Sequence, residues 1–558
     1  FKHVYLPDNF EELPEGLFYE CKELIDTLVV PDKVNHLGAS AFAGCKNLTA
    51  LVLSKNILSI GEDCFNGCYS LDYIECRSET PPVLEGDGHF NGVAKDNFTL
   101  VVPQGCVDAY RNTPGWGEFK RISEYRNFVC RPQRARLLNN GNEREIILNA
   151  DGAWTITHCP DWVHVSAMSG QQKTKLTVTI DALEQGLGSR EDSIVFSLDG
   201  GDHTTCYQIE QYDSSYEEDG YVTLQSALKG NGIDLVFIGD GYDAKDIAEG
   251  VYLSDMKQQM EYFFDVEPYK TYRDYFNVYT AFAMSYESGI GTLNTLRDVK
   301  FNTMTASSSG RITTDFDAAL FYAVDHTPVT EADIDALTCV LTPNITTYDG
   351  VTMMWPGTRG GAAVALCPKS KEDYPFDARG LIQHEAGGHG FGKLADEYIY
   401  HAAWIQTCGC QCCKHVDDLI QTHNNGWGQN VSLDGKYNSV PWKHLIYDNR
   451  FNDIADIFEG GYFHMRGVYR SEQNSCMNNN VPYYSTWSRE LIVKRIKMLA
   501  GETFSFEDFA VNDSREWGRD FTRPTRVTGE DIHTTTIAPR HGHAPIISLS
   551  EPKRKESR

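Results

Sequence analysis

Nowhere in its 558 residues does the chain contain a run of about 20 apolar residues, the length a helix needs to cross a bilayer. Positive charge is also scarce. Lys and Arg number 50 against 78 Asp and Glu, a formal net charge of −28, and the longest basic block is Lys553-Arg554-Lys555. An acidic surface repels phosphate backbones and anionic headgroups, which disfavours nucleic acid and membrane surfaces as partners. No Gly-x-Ser-x-Gly elbow occurs, so the usual frame of a serine hydrolase is missing. The chain opens on Phe1 rather than Met. We read it as an exported protein, secreted or held at the cell surface with or without a lipid anchor, whose leader has been removed.

Apolar residues make up 41% and aromatics 12%, enough for several packed cores. At about 150 residues per domain, the length suggests three or four units. The first contains a repeat. Phe18-Tyr19-Glu20-Cys21-Lys22-Glu23-Leu24 recurs as Phe42-Ala43-Gly44-Cys45-Lys46-Asn47-Leu48 and as Phe65-Asn66-Gly67-Cys68-Tyr69-Ser70-Leu71, at spacings of 24 and 23 residues. Short β-like runs, Leu28-Val29-Val30 and Leu51-Val52-Leu53, follow the first two copies. This period belongs to leucine-rich solenoids, in which each copy buries its apolar face only against the next. The pattern resembles bacterial surface-antigen leucine-rich repeats over residues 1–126, with Val101 to Ile122 as the C-terminal cap. The repeated cysteines, part of a total of 16, read as buried free thiols.

Residues 127–214 alternate apolar and polar positions at Glu145–Leu148, Leu176–Ile180 and Ser193–Phe196, the period of a β-sandwich. Trp154-Thr155-Ile156, Pro160-Asp161-Trp162-Val163, Ser169-Gly170, Arg190 and Gln208-Ile209-Glu210-Gln211 resemble a BACON domain. That resemblance implies an Ig-like module acting as a spacer or as a contact for glycan or mucin. From residue 218 to about 510 the pattern turns to mixed α/β. Ile233–Ile238 reads as a buried strand ended by Gly239-Asp240-Gly241-Tyr242, Lys245–Phe264 as a helix, and Phe276–Phe282 as the next strand. Residues 511–558 read as an extension ending in a basic, poorly ordered tail.

Chemistry concentrates in His384-Glu385-Ala386-Gly387-Gly388-His389-Gly390-Phe391-Gly392-Lys393-Leu394-Ala395-Asp396-Glu397-Tyr398. Zincins place two His four apart on one helix face, with a Glu between them to take a proton from the attacking water. Here the spacing is five. On an α-helix five residues turn roughly 500°, which leaves the rings about 140° apart. A π-type turn removes that misfit, and Gly387-Gly388 is where a backbone without Cβ atoms can widen. The spelling also resembles the dipeptidyl peptidase III family, whose lengthened motif binds zinc. His389-x-x-Gly392 has metzincin spacing, but the next ligand position holds Ala395. The register then slips to Asp396, with Glu397 as the rival third ligand. Met477, within Asn474-Ser475-Cys476-Met477-Asn478, is the candidate Met-turn. Tyr462, His464 and Tyr483 are candidate oxyanion donors.

Together with Gly239–Tyr242, Leu394–Tyr398 and Glu459-Gly460-Gly461-Tyr462 through Gly467–Arg470 to Met477, these segments resemble the IgA-peptidase-like metalloendopeptidase family, peptidase family sixty-four. Members write the motif His-Glu-x-x-His. The resemblance covers about residues 220–500 and implies a Zn²⁺ endopeptidase acting on protein substrates, without implying that IgA is one. The expected architecture is multidomain: a leucine-rich-repeat solenoid, an Ig-like β-sandwich and an α/β, metzincin-like zincin domain. A rival reading is a surface adhesion or glycan-binding protein with a degenerate peptidase domain. Gly387-x₄-Gly392-Lys393 also imitates a phosphate loop, but Leu394 stands where Ser or Thr would hold Mg²⁺. Cys408, Cys410, Cys412, Cys413 and His415 could form loop disulfides, bind a second metal or remain thiols.

Overall fold

The computed structural model describes residues 4–554, apart from 5, 7–9, 26, 97, 104, 125–127, 151, 199–203, 293–296, 306–310, 348, 406–414, 516–544 and 549. The Cys408–Cys413 cluster lies outside the described residues, as does the side chain of His415.

The N-terminal repeats form two parallel ladders. One joins Thr27–Val29, Ala50–Leu53, Tyr73–Cys76, Thr99–Val102 and Arg121–Glu124; the other joins Glu12–Leu13, His36–Leu37, Ser59–Ile60 and Val83–Leu84. Between them Phe18, Phe42, Phe65 and Phe90 stack at centroid separations of 5.3, 5.9 and 5.5 Å. The Cys45 and Cys68 thiols donate to the carbonyls of Phe18 and Phe42, each at 3.0 Å, and are buried free thiols, whereas Cys21, in the first copy, is a free thiol only half-buried. Trp116 closes the stack edge-on against Phe90, its indole N–H on Pro82 O at 2.8 Å.

In residues 128–211 two sheets share one core. The first runs Phe128–Arg131, Asn142–Ala150, Thr174–Ile180, Val163–Val165; the second runs Arg134–Leu137, Thr204–Gln211, Arg190–Leu198, Ala153–His158, Ser169–Gln171. Alternate residues from both, including Ile146, Leu148, Leu176, Val178, Ile194 and Phe196, meet around Trp154. Arg136 binds Glu210 at 2.9 Å and also Asp243, the N-cap of a helix in the next unit, so one guanidinium links the two units.

The largest sheet contains β1 (Tyr221–Gln225), β2 (Ile233–Asp240), β3 (Phe276–Ala281), β4 (Thr338–Pro343), β5 (Val351–Met354), β6 (Ala363–Leu366) and β7 (Ile546–Ile547), in spatial order β1-β3-β2-β4-β6-β5-β7. The strands of its centre are buried on both faces because alternate side chains enter different cores. Leu235 and Phe237 face α1 (Val251–Phe264) and the segment carrying His384. Val236 and Ile238 face α2 (Phe316–Asp325). That two-sided burial explains the apolar run Leu235–Ile238 in the sequence. Strand β5 is antiparallel to β6, pairing Val351 with Leu366 and Met354 with Ala363. The described end of the 511–558 extension joins the sheet: β7 pairs in parallel with Met353 and Met354. No described helix is long and apolar enough to cross a membrane.

Candidate metal centre

A short helix, α3 (Ala378–Ile382), N-capped by Asp377, leads into a π-helix over Gln383–Phe391. The widened backbone that the five-residue His spacing demands is therefore present, and it extends beyond the single turn expected. Gly392 N–H donates to Gly387 O at 2.9 Å, the i to i+5 bond of a π-turn. Two tyrosines from distant segments clamp it. Tyr269 Oη donates to Gly387 O at 2.5 Å, and Tyr484 Oη donates to Gln383 O. Gly387 and Gly388 are needed for close approach. A Cβ at Gly388 would lie 2.2 Å from Met477 Sδ, and one at Gly387 would lie 2.4 Å from Tyr484 Oη.

This backbone brings together His384, His389 and Asp396, whose ligand-type atoms all lie within 4.8 Å of one another. The His rings are 4.8 Å apart at 79°. His384 Nδ1 donates to Cys476 O at 3.0 Å and His389 Nδ1 to Leu394 O at 2.8 Å, which fixes both tautomers. Both Nε2 atoms then face Asp396 Oδ1, His384 in a hydrogen bond at 3.0 Å and His389 at 3.2 Å. The His389 contact has ion-pair distance without hydrogen-bond geometry, and Asp396 Oδ2 has no hydrogen-bond partner. All three side chains are buried. With both Nδ1 atoms committed to carbonyls, two Nε2 atoms and one carboxylate converge on a single buried point, an arrangement held together by protons on the rings or by a cation in their place. Two imidazoles and a carboxylate are a donor set suited to zinc. Burial works to lower the His389 pKa and the Asp396 charge outweighs it, lifting the ring to about 9. Burial likewise works to raise Asp396, but the facing imidazoles hold it below its ordinary range.

Glu385 is buried beside the cluster. Its Oε2 accepts from Thr352 Oγ1 of β5 at 2.8 Å, and burial raises its pKa. Glu397, the rival ligand, turns away: Asn430 Nδ2 donates to its Oε1 at 2.9 Å and Ser475 Oγ to its Oε2. Met477 is fully buried in the short helix Cys476–Asn479 and packs under Gly388, while its carbonyl accepts from Glu397 N at 2.7 Å. One turn thus seats His384 through Cys476 O and fills the space beneath the π-helix.

The structure does not bring the hydroxyls of two candidate donors to the cluster. Tyr483 Oη donates to Glu472 at 2.7 Å, and the Tyr462 hydroxyl is engaged by Thr422, although Tyr462 N–H holds Asp396 O at 3.0 Å. His464 is buried in the strand Phe463–Arg470, in register with His401. Reading the sequence missed Thr352, Tyr269, Tyr484 and Asn430, which grips Ala395 through both N–H (2.7 Å) and C=O (2.9 Å). Each is a common residue far along the chain, with no spacing rule to mark it. The phosphate-loop reading fails because the glycine-rich run is helical, with its N–H groups bonded internally, and Lys393 is buried against Trp427. Asp240 ends β2 as a structural turn, accepting from Gly241, Ser285, Phe301 and Thr303.

Among solved structures, 18% of the chain is similar to 24% of a Bacteroides ovatus GH5 xyloglucanase in complex with a XXXG heptasaccharide (16% identity, TM-score 0.14). The Vibrio cholerae VesB protease is similar over 15% of the chain and 32% of its own length (15% identity, TM-score 0.13). The chain thus spans about a quarter of the first of these and a third of the second, and likenesses this weak carry no argument. No curated protein matches the chain. Family comparison is informative. Residues 1–84 match the BspA type leucine rich repeat region in six copies, and residues 222–446 match IgA Peptidase M64, a metallopeptidase family, a span that includes His384 to Asp396 and stops short of Met477. The chain therefore joins a BspA type leucine-rich repeat region to a domain of the IgA Peptidase M64 family.

Proposed function

We propose that the chain is a zinc-dependent endopeptidase, with a zincin-type catalytic domain, acting on extracellular proteins at or beyond the cell surface. The observation that carries this reading is the convergence of two imidazoles, each anchored through Nδ1 on a carbonyl, and one carboxylate on a single buried point. His384, His389 and Asp396 would hold the metal. When bound, zinc supplies a Lewis acid that acidifies water and polarises a carbonyl. Glu385 takes a proton on its carboxylate from the attacking water and delivers it to the leaving amine. Its raised pKa suits a group that must hold that proton briefly. Thr352 orients the carboxylate. Met477 supports the π-helix from below. No catalytic role is given to Tyr462 or Tyr483, whose hydroxyls are engaged elsewhere.

The repeats and the two-sheet module, read as an Ig-like, BACON-type unit, would hold the peptidase away from the surface and offer candidate contacts for glycan or mucin. The test is direct. Purified chain should take up one zinc per molecule, and should cleave reduced, carboxymethylated protein with zinc but not with chelator. Stoichiometric zinc with no cleavage of any unfolded protein would leave the domain a degenerate one.

A further inference from the structure

The edge of the large sheet beside Glu385 is occupied by the chain's own C-terminal segment. Strand β5 is antiparallel to β6 on one side, which leaves its other edge able to accept an extended chain. Side chains alternate along it, so Thr352 and Met354 share the face toward the π-helix, and Thr352 Oγ1 contacts Glu385. On that same edge lies β7. Ile546 pairs with Met353 and Ile547 with Met354, and Ser548 N–H donates to Met354 O at 2.8 Å. Ile547 packs into the small cluster of Met354, Ala363 and Trp427.

Beyond this strand a basic end meets an acidic helix. Lys553 N–H donates to Asp317 at 3.2 Å. The Arg554 guanidinium binds Asp325 at 2.7 Å and also Glu331, above the Phe321 ring at 4.6 Å. In a chain of net charge −28, Arg554 thus meets carboxylates at the end of α2 and just beyond it. Strand pairing and ion pairs thus hold two ends of one segment, 190 or more residues from its partners in sequence.

We propose that this segment is a cis-acting occupant of the strand edge on which an extended polypeptide substrate lies, and that the peptidase is self-blocked while it is docked. The inference rests on the peptidase reading above. Blocking by occupancy raises KM and leaves kcat alone, because substrate binds only the undocked fraction. A segment docked nine-tenths of the time raises KM about tenfold.

The test uses full-length protein carrying Ser548→Pro and Arg554→Glu. The first removes the N–H that reaches Met354, and the second sets a carboxylate against Asp325 and Glu331. Neither residue is bonded to His384, His389 or Asp396, so zinc content should match wild type. Against reduced, carboxymethylated protein, KM should fall about tenfold at unchanged kcat. A second measurement needs no turnover. In a Glu385→Ala background, the same unfolded protein should bind about tenfold more tightly to the released variant than to the intact chain. Equal affinity, or a fall in kcat at constant KM, overturns the inference, since the segment would then only brace β5. Absence of hydrolysis by zinc-loaded chain with Glu385 intact overturns the peptidase reading instead, while the binding comparison still decides whether the segment competes.

Discussion

The phenylalanine stack of the repeats and the His384–His389–Asp396 cluster both consist of deeply buried side chains, but only the stack is completed by folding. In the stack each ring meets the next at 5.3–5.9 Å, and the polar atoms of Cys45 and Cys68 find carbonyls one turn back. In the cluster, two imidazole Nε2 atoms crowd one carboxylate oxygen, and Asp396 Oδ2 has no hydrogen-bond partner. Such a concentration of ionisable groups is costly in a dry interior. The stack is a place where every local preference agrees with the fold. The cluster is one where the preferences conflict until a cation arrives, as expected of a functional site.

The strongest way to break this contrast is chemical. Glu385→Ala should keep zinc and lose about 10²–10⁴-fold in kcat/KM on an unfolded protein, the usual worth of a positioned base. Wild-type turnover by that variant would remove Glu385 from the mechanism. The next effect is on stability. Phe42 is fully buried between Phe18 and Phe65, so Phe42→Ala should destabilise the repeat unit by about 3–5 kcal/mol, read by denaturant unfolding. Zinc uptake and kcat/KM should stay within about twofold, because distant sites add independently. Loss of zinc in Phe42→Ala would show that the two regions are one cooperative unit.

The same contrast governs what could be read from the sequence. The Phe-x-x-Cys copies were legible because one environment recurs at one period. The fourth rung was not: Phe90-Asn91-Gly92-Val93 repeats Phe65-Asn66-Gly67-Cys68 but carries Val93 in place of the cysteine. At the cluster, the five-residue spacing and paired glycines were enough to foresee a widened turn, because helix geometry allows no other common face. The groups that hold that turn open were illegible. Tyr269 and Tyr484 lie 118 and 101 residues from the carbonyls they bind, and tertiary contacts of that range leave no periodicity. The pairing of Ile546–Ile547 with β5 was hidden for the same reason, since two apolar residues in a polar stretch set no register.

A smaller effect tests the seat of the turn. Gly388→Ala would place a methyl 2.2 Å from Met477 Sδ. Overpacking of this kind costs about 1–3 kcal/mol. The loss should appear both in thermal stability and in weaker zinc binding. Pairing it with Met477→Val, which trims the opposing side chain, should lose less than the sum of the single changes. Strict additivity would mean that Met477 is ordinary core and not the floor of the site.

The smallest expected effect bears on the π-helix itself. Each of Tyr269 and Tyr484 donates one hydrogen bond to a carbonyl of that segment, and a neutral buried bond contributes about 1 kcal/mol. Gly387 O keeps its bond from Gly392 when Tyr269 is changed to Phe, so the ring stays packed and the loss stays near that figure. What matters is where the energy goes. If the tyrosines only fill space, Tyr269→Phe and Tyr484→Phe lower the melting temperature and leave zinc affinity alone. If they hold the backbone in its widened turn, zinc affinity falls about fivefold for each, the equivalent of about 1 kcal/mol in binding. The double variant should then lose more than the two singles combined, because one remaining clamp still opposes closure to an α-helix that would swing His389 away from His384.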